Sequence, residues 1–131
     1  MIVELTEKEV IEHLEGFVKS FVLPEFQHRW NHFLFEKPGK ARFEMVKFYG
    51  HHNPAFCKIV KSRVVFENFV KIRGDLTGIY FDGDEPAKRI KVSEVEELMG
   101  CEAVFSIKAG KLALLLTHEF EVFLCEKALK K

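Results

Sequence analysis

Two apolar runs meeting at Ala109-Gly110 constrain the fold more than any other feature of this chain. Read as strands joined by a two-residue hairpin loop, they set Ile107 opposite Leu112, Phe105 opposite Leu114 and Ala103 opposite Leu116. All six apolar side chains then share one face, and a slip of one residue would turn each strand's set to the wrong side. A three-residue connection at Thr117-His118-Glu119 adds Phe120, Val122 and Leu124 to that face. Upstream, Thr77–Asp82 reads as a strand ended by the turn Asp82-Gly83-Asp84-Glu85-Pro86. Ser93, with Glu96 three residues on, caps a short helix through Met99 that Gly100 ends.

The N-terminal half has a different period. Thr6-Glu7-Lys8-Glu9 is a capping box, and Val10, Ile11, Leu14, Phe17, Val18, Phe21 and Val22 follow as a helical stripe. Gly16 within it costs about 1 kcal/mol relative to alanine. Pro24 suits the first position of a second helix, on which Phe26, Trp30, Phe33 and Leu34 share a side. A strand over Phe26–Phe35 is the rival reading. Pro38 opens a third short helix, Gly39 to Tyr49, and Gly50-His51-His52-Asn53-Pro54 is a loop. Ala55–Arg73 stays open between helix and strand. Phe66, Phe69, Val70 and Arg73 fit a helix with Gly74 beyond its end, while Val64, Val65, Val70 and Ile72 favour a strand. The expected architecture is α+β in a single domain, 1–131. Helices over roughly 6–73 pack on a small, mainly antiparallel sheet over roughly 76–127, with one short inserted helix.

Composition restricts the classes of function. The longest tidy apolar run is Leu112–Leu116, against about 20 residues for a membrane span. Acids occupy the N-terminus where an export signal needs an apolar stretch, so the expected location is cytoplasmic. The three cysteines, Cys57, Cys101 and Cys125, form no Cys-x-x-Cys pair, and each has apolar neighbours. They read as small buried hydrophobes in a reducing compartment. Fourteen Phe against two Tyr point to core, since Phe offers area without a polar handle.

Twenty basic and twenty acidic residues give a net charge of zero, but unevenly. Residues 1–27 hold 2 basic and 6 acidic groups, 28–73 hold 10 and 3, and 74–131 hold 8 and 11. The segments therefore carry −4, +7 and −3. One reading is a basic face for phosphate or an acidic partner; the other is acidic flanks folded against the basic middle.

Arg29-Trp30-Asn31-His32-Phe33-Leu34, then Lys37-Pro38-Gly39-Lys40-Ala41-Arg42-Phe43, resembles a pattern of small bacterial proteins to which no activity attaches. In these a helix ending in Arg-Trp/Tyr-x-x-Phe-Leu precedes a basic Lys-Pro segment and another short helix. A hairpin like Ile107–Ala113 occurs in their C-terminal halves. The resemblance implies helices followed by a sheet and supplies no site.

Several constellations are candidates for chemistry. His28 and His32, one helical turn apart, could share a metal with His51 or His52, although no intervening Glu makes a His-Glu-x-x-His motif. Surface histidines are the plainer reading. Asp82, Asp84 and Glu85 suit a turn better than a calcium loop. Cys57 with His51 or His52 could make a Cys–His pair. No phosphate-binding glycine loop, nucleophile elbow or acid–base–nucleophile set is present. The basic-aromatic band of Arg29, Trp30, Lys37, Lys40, Arg42, Lys47 and Tyr49 remains, with Trp30 fitting a buried stripe. These readings point to a non-enzymatic binding or regulatory module without a cofactor. Its basic face (Arg29, Lys37, Lys40, Arg42, Lys47) would meet an acidic protein or a nucleic acid. The alternatives are a small metal-dependent enzyme or metal-binding protein built on His28, His32, His51 and His52, and, by class analogy alone, an immunity or antitoxin-like protein.

Overall fold

The Thr6 hydroxyl accepts the Glu9 amide at 3.2 Å and starts helix α1, Glu7–Phe21. These positions come from a computed structural model, which describes residues 6–32, 52–60, 62–82, 87–98, 103–116 and 122–127. The other half of the capping box is diverted: the Glu9 carboxylate takes a hydrogen bond from the Thr6 hydroxyl and an ion pair from Arg89. Leu14, Phe17, Val18 and Phe21 are buried, as the stripe requires, while Ile11 stays exposed.

Helix α2, Pro24–Asn31, begins at its proline as expected. The Gln27 side-chain amide donates to the Val22 and Lys19 carbonyls at 3.0 and 3.3 Å, tying α2 to the unpaired carbonyl end of α1. Trp30 is buried, 5.7 Å from the Phe17 ring centroid. The third short helix expected over Gly39–Tyr49 lies outside the described residues.

Ala55–Arg73 divides between both of its readings. Cys57–Val60 is strand β1, and Arg63–Arg73 is helix α3, capped by the Ser62 hydroxyl on the Val65 amide. Phe69 and Val70 bury one side of α3. The β-branched Val64, Val65 and Ile72, which argue for a strand in the sequence, are exposed on the other. The remaining strands are β2 (Thr77–Phe81), β3 (Lys88–Lys91), β4 (Ala103–Lys108), β5 (Leu112–Leu116) and β6 (Val122–Glu126). Every described pairing is antiparallel, in the order β1-β6-β5-β4-β2-β3. Strand β1 thus reaches from the helical half into the sheet, and β3, at the edge of the sheet among the described residues, is a strand that the sequence pattern did not announce. The inserted helix is a 3₁₀ helix, Val92–Leu98. Its start is set by the Glu94 carboxylate on the Lys91 amide at 2.8 Å, so Ser93 lies inside it instead of capping it.

The β4–β5 register follows the apolar pattern, Ala103 facing Leu116 and Phe105 facing Leu114. It departs at the end, where a bulge brings Lys108, and not Ile107, opposite Leu112. The Lys111 amide closes the turn on the Lys108 carbonyl at 2.9 Å, with Gly110 at φ +71° in the place where a type II turn takes glycine. Strand β6 continues the face through Leu116 opposite Val122 and Leu114 opposite Leu124; Phe120 lies outside the described residues.

Both faces of this sheet are covered. Ala103, Phe105, Ile107, Leu112, Leu114 and Leu116 share one core with Phe69 and Val70 of α3 and Val92 and Val95 of the 3₁₀ helix. Val104, Ala113, Phe123 and Cys125 share the other with α1 and α2. Helices over one apolar face were expected, yet Leu112–Leu116 reads as an unbroken apolar run because both sides of β5 pack against other elements.

A transverse row on the α1 face records how that helix lies. Cys57, Cys125, Ala113, Ser106, Ile79 and Arg89 are successive cross-strand partners from β1 to β3. Glu9 meets Arg89 at one end, His13 meets Ser106 in the middle, and the Phe21 carbonyl accepts from the Cys57 thiol at 3.7 Å. From Glu9 to Phe21 a helix rises about 18 Å. Six strands span about 24 Å. Helix α1 therefore crosses nearly the whole sheet, with the long Arg89 side chain making up the remainder.

Candidate functional site

The β4–β5 hairpin places Lys108 and Lys111 at the end of the sheet. Strand β6 ends beside them, its Glu126 opposite Leu112 and the Lys127 amide donating to the Lys111 carbonyl at 2.9 Å. From the other side comes the end of α3: Arg73, then Leu76, whose amide donates to the Arg73 carbonyl at 2.9 Å. Together these residues line an open groove of about 440 Å³. Its walls carry four cations (Arg73, Lys108, Lys111, Lys127) against one carboxylate, Glu126, and its apolar lining is Leu76 and Leu112. Two of the cations are steered by aromatic faces. The Arg73 guanidinium lies 4.5 Å from the Phe69 centroid and the Lys127 ammonium 5.2 Å from that of Phe56. Arg73 also sits in the last turn of α3, where a positive charge offsets the helix dipole. All three lysines are exposed.

Of the residues singled out in the sequence, Arg29 is exposed on α2, while Lys37, Lys40, Arg42 and Lys47 lie outside the described residues. Arg73 belongs to the same basic segment and enters the groove; its partners there come from the segment whose net charge is −3. Only position in the fold brings them together, so spacing along the chain carried no signal for the groove.

The candidate metal set does not assemble among the described residues, where no group of three His, Cys, Asp or Glu converges on a common point. His28 is exposed, and His32 caps the end of α2 with its backbone amide on the Arg29 and His28 carbonyls. His52 bridges to Val22, lies tilted against Phe123 with ring centroids 4.5 Å apart, and buries its Nδ1. Burial pushes its imidazole below the usual histidine value. His51 lies outside the described residues.

One polar cluster escaped sequence reasoning. His13 Nδ1 lies 2.8 Å from Ser106 Oγ, and Arg89 reaches Glu9 one helical turn away at 2.5 Å. A Ser–His contact of this length is the beginning of a nucleophile–base pair. Ser106 is 1% exposed beneath α1, however, so an electrophilic carbon has no approach to its oxygen. Burial is the largest influence on His13 and keeps it below the ordinary histidine range. The pair seats α1 on β4. Its only sequence signal is Ser106 standing alone among the apolar residues of β4, across the sheet from the hairpin's marked face.

No helix among the described residues is long and apolar enough to cross a membrane. No family model, curated protein or solved structure matches the chain, so the reading of this groove rests on its own geometry.

Proposed function

We propose that the protein is a non-enzymatic binding module whose basic groove takes an acidic protein segment. The observation that carries this reading is the convergence of Arg73, Lys108, Lys111 and Lys127 around Leu76 and Leu112, with Glu126 the one opposing charge among the lining residues. Carboxylates interspersed with an apolar side chain complement such a surface: the charges sit on the rim and the apolar group on the leucines. A nucleic acid fits less well. Phe56 and Phe69 lie under cations and leave their faces less open to a base.

Fluorescence anisotropy at low salt tests the reading with two probes, a labelled peptide alternating Glu and Leu and a labelled oligothymidylate. The peptide is expected to bind the more tightly, to weaken with salt, and to lose about tenfold or more in affinity on Lys108→Glu/Lys111→Glu, a change worth about 1.4 kcal/mol. Peptide binding unchanged by that double reversal overturns the groove. Preference for the oligonucleotide transfers the groove to nucleic acid and removes the acidic-protein reading.

A further inference from the structure

Cys57 and Cys125, 68 residues apart in the chain, face each other directly across β1 and β6, and both are free. The Glu126 amide donates to the Phe56 carbonyl at 2.9 Å, which makes Phe56 and Glu126 a hydrogen-bonded pair. Alternation along an antiparallel ladder then makes Cys57 and Cys125 a non-hydrogen-bonded pair. At such positions Cα atoms approach to about 4.5 Å and side chains are closest. That separation falls within the Cα range of about 4.4–6.8 Å found in disulfides.

The two thiols are not equivalent. The neighbouring Cys125 side chain holds the Cys57 thiol below its usual value, with the Asn53 backbone helping, while the Cys125 thiol itself lies 3.8 Å from the Phe123 carbonyl. The Cys57 side chain, with burial, pushes the Cys125 thiol up. Cys57 is 4% exposed and Cys125 0%. Among the described residues, strand β1, which carries Cys57, is the edge of the sheet and pairs with β6 alone. Opening of this short edge exposes Cys57 first, whereas Cys125 stays between β1 and β5.

We propose that Cys57 and Cys125 are a redox-active pair that a small peroxide closes into a cross-strand disulfide, fastening the edge strand β1 to β6. The Cys57 thiolate attacks one peroxide oxygen; the O–O bond breaks, hydroxide leaves, and Cys57 becomes a sulfenic acid. The Cys125 sulfur then attacks the Cys57 sulfur and the S–O bond breaks. The departing hydroxide leaves as water with the Cys125 proton. The first hydroxide is neutralised by the proton Cys57 had released, so two thiols lose two electrons and hydrogen peroxide becomes two waters.

Intact mass and peptide mapping of the full chain after one equivalent of hydrogen peroxide test this. The expected product has lost the mass of two hydrogens, contains a Cys57–Cys125 cross-linked peptide and returns to the dithiol with a reductant. Cys125→Ala is expected to stop at the first step, leaving a sulfenic acid at Cys57 that dimedone traps. Two free thiols at these positions after peroxide in the native chain, or oxidation of Cys57 to sulfinic acid while Cys125 is present, overturns the pair. So does a cross-link from either cysteine to Cys101 in place of the Cys57–Cys125 bond.

Discussion

Gly16 is a poor helix former in the middle of α1, and propensity alone favours alanine there by about 1 kcal/mol. Packing opposes it. A Cβ at Gly16 would lie 2.8 Å from the Gly110 amide nitrogen and 3.2 Å from the Ala109 carbonyl carbon, both backbone atoms of the hairpin turn. Gly16→Ala is therefore expected to destabilise the fold by about 1–3 kcal/mol, the usual range for overpacking. The check is a lower urea midpoint at an unchanged m-value; a raised midpoint would mean that α1 stands off the turn. Two histidines make a second prediction at this scale. Burial lowers the folded-state values of His13 and His52, so the unfolded chain protonates first as pH falls below 6.5. Their contribution is present above 6.5 and is lost as pH falls toward the folded-state values. Thermal midpoints are expected to hold steady above about pH 7 and to drop by about pH 5.5, before most carboxylates titrate. His13→Asn/His52→Asn should flatten that part of the profile; an equally steep drop in the double variant would assign it elsewhere.

Helix α3 shows how a local conflict is resolved at the level of the element. Val64, Val65, Val70 and Ile72 favour a strand by χ1 stiffness, but Ser62 caps the first turn and Phe69 and Val70 are buried against the sheet. Val64 is 65% exposed and contributes little packing to offset its low helix propensity. Val64→Ala is thus expected to stabilise by a few tenths of a kcal/mol, up to about 0.7, and Ser62→Ala to cost about 1 kcal/mol, both measured by equilibrium unfolding. A cost on Val64→Ala would place that side chain in a contact. The same balance explains what could be read from the chain. Long periodic elements were legible: α1 from its cap and stripe, and the β4–β5 register through Ser106 from alternating large apolar residues. The edge strands were not. β3 buries only Ile90 fully among Lys88, Arg89 and Lys91, and β1 is four residues long, so neither has enough alternation to register. The helices over both sheet faces were obscured because a doubly buried strand has no polar side to reveal its second partner. The groove was illegible for a different reason, since its four cations come from three separate elements.

At the scale of the molecule, the zero total conceals how charge is redistributed by folding. Glu9–Arg89 joins the acidic N-terminal flank to the C-terminal half, and Arg63–Glu67 stays within the basic middle. Neither neutralises the groove. Two sites for the basic surface can then be compared at equal net charge. Lys108→Glu/Lys111→Glu and Arg29→Glu/Lys40→Glu each reverse two cations, so each lowers the net charge by the same four units and weakens long-range steering of an acidic partner about equally. They differ only in where the charge is lost. With the Glu-Leu peptide at low salt, both variants are expected to slow association to a similar degree, because encounter responds to the whole field. Dissociation responds to local contacts, so it should accelerate several-fold for the Lys108/Lys111 variant alone. Matched stopped-flow rates at two salt concentrations separate the cases. Faster dissociation confined to the Arg29/Lys40 variant would move the binding surface to those two residues, and equal effects on both rates would reduce the interaction to net charge without a site.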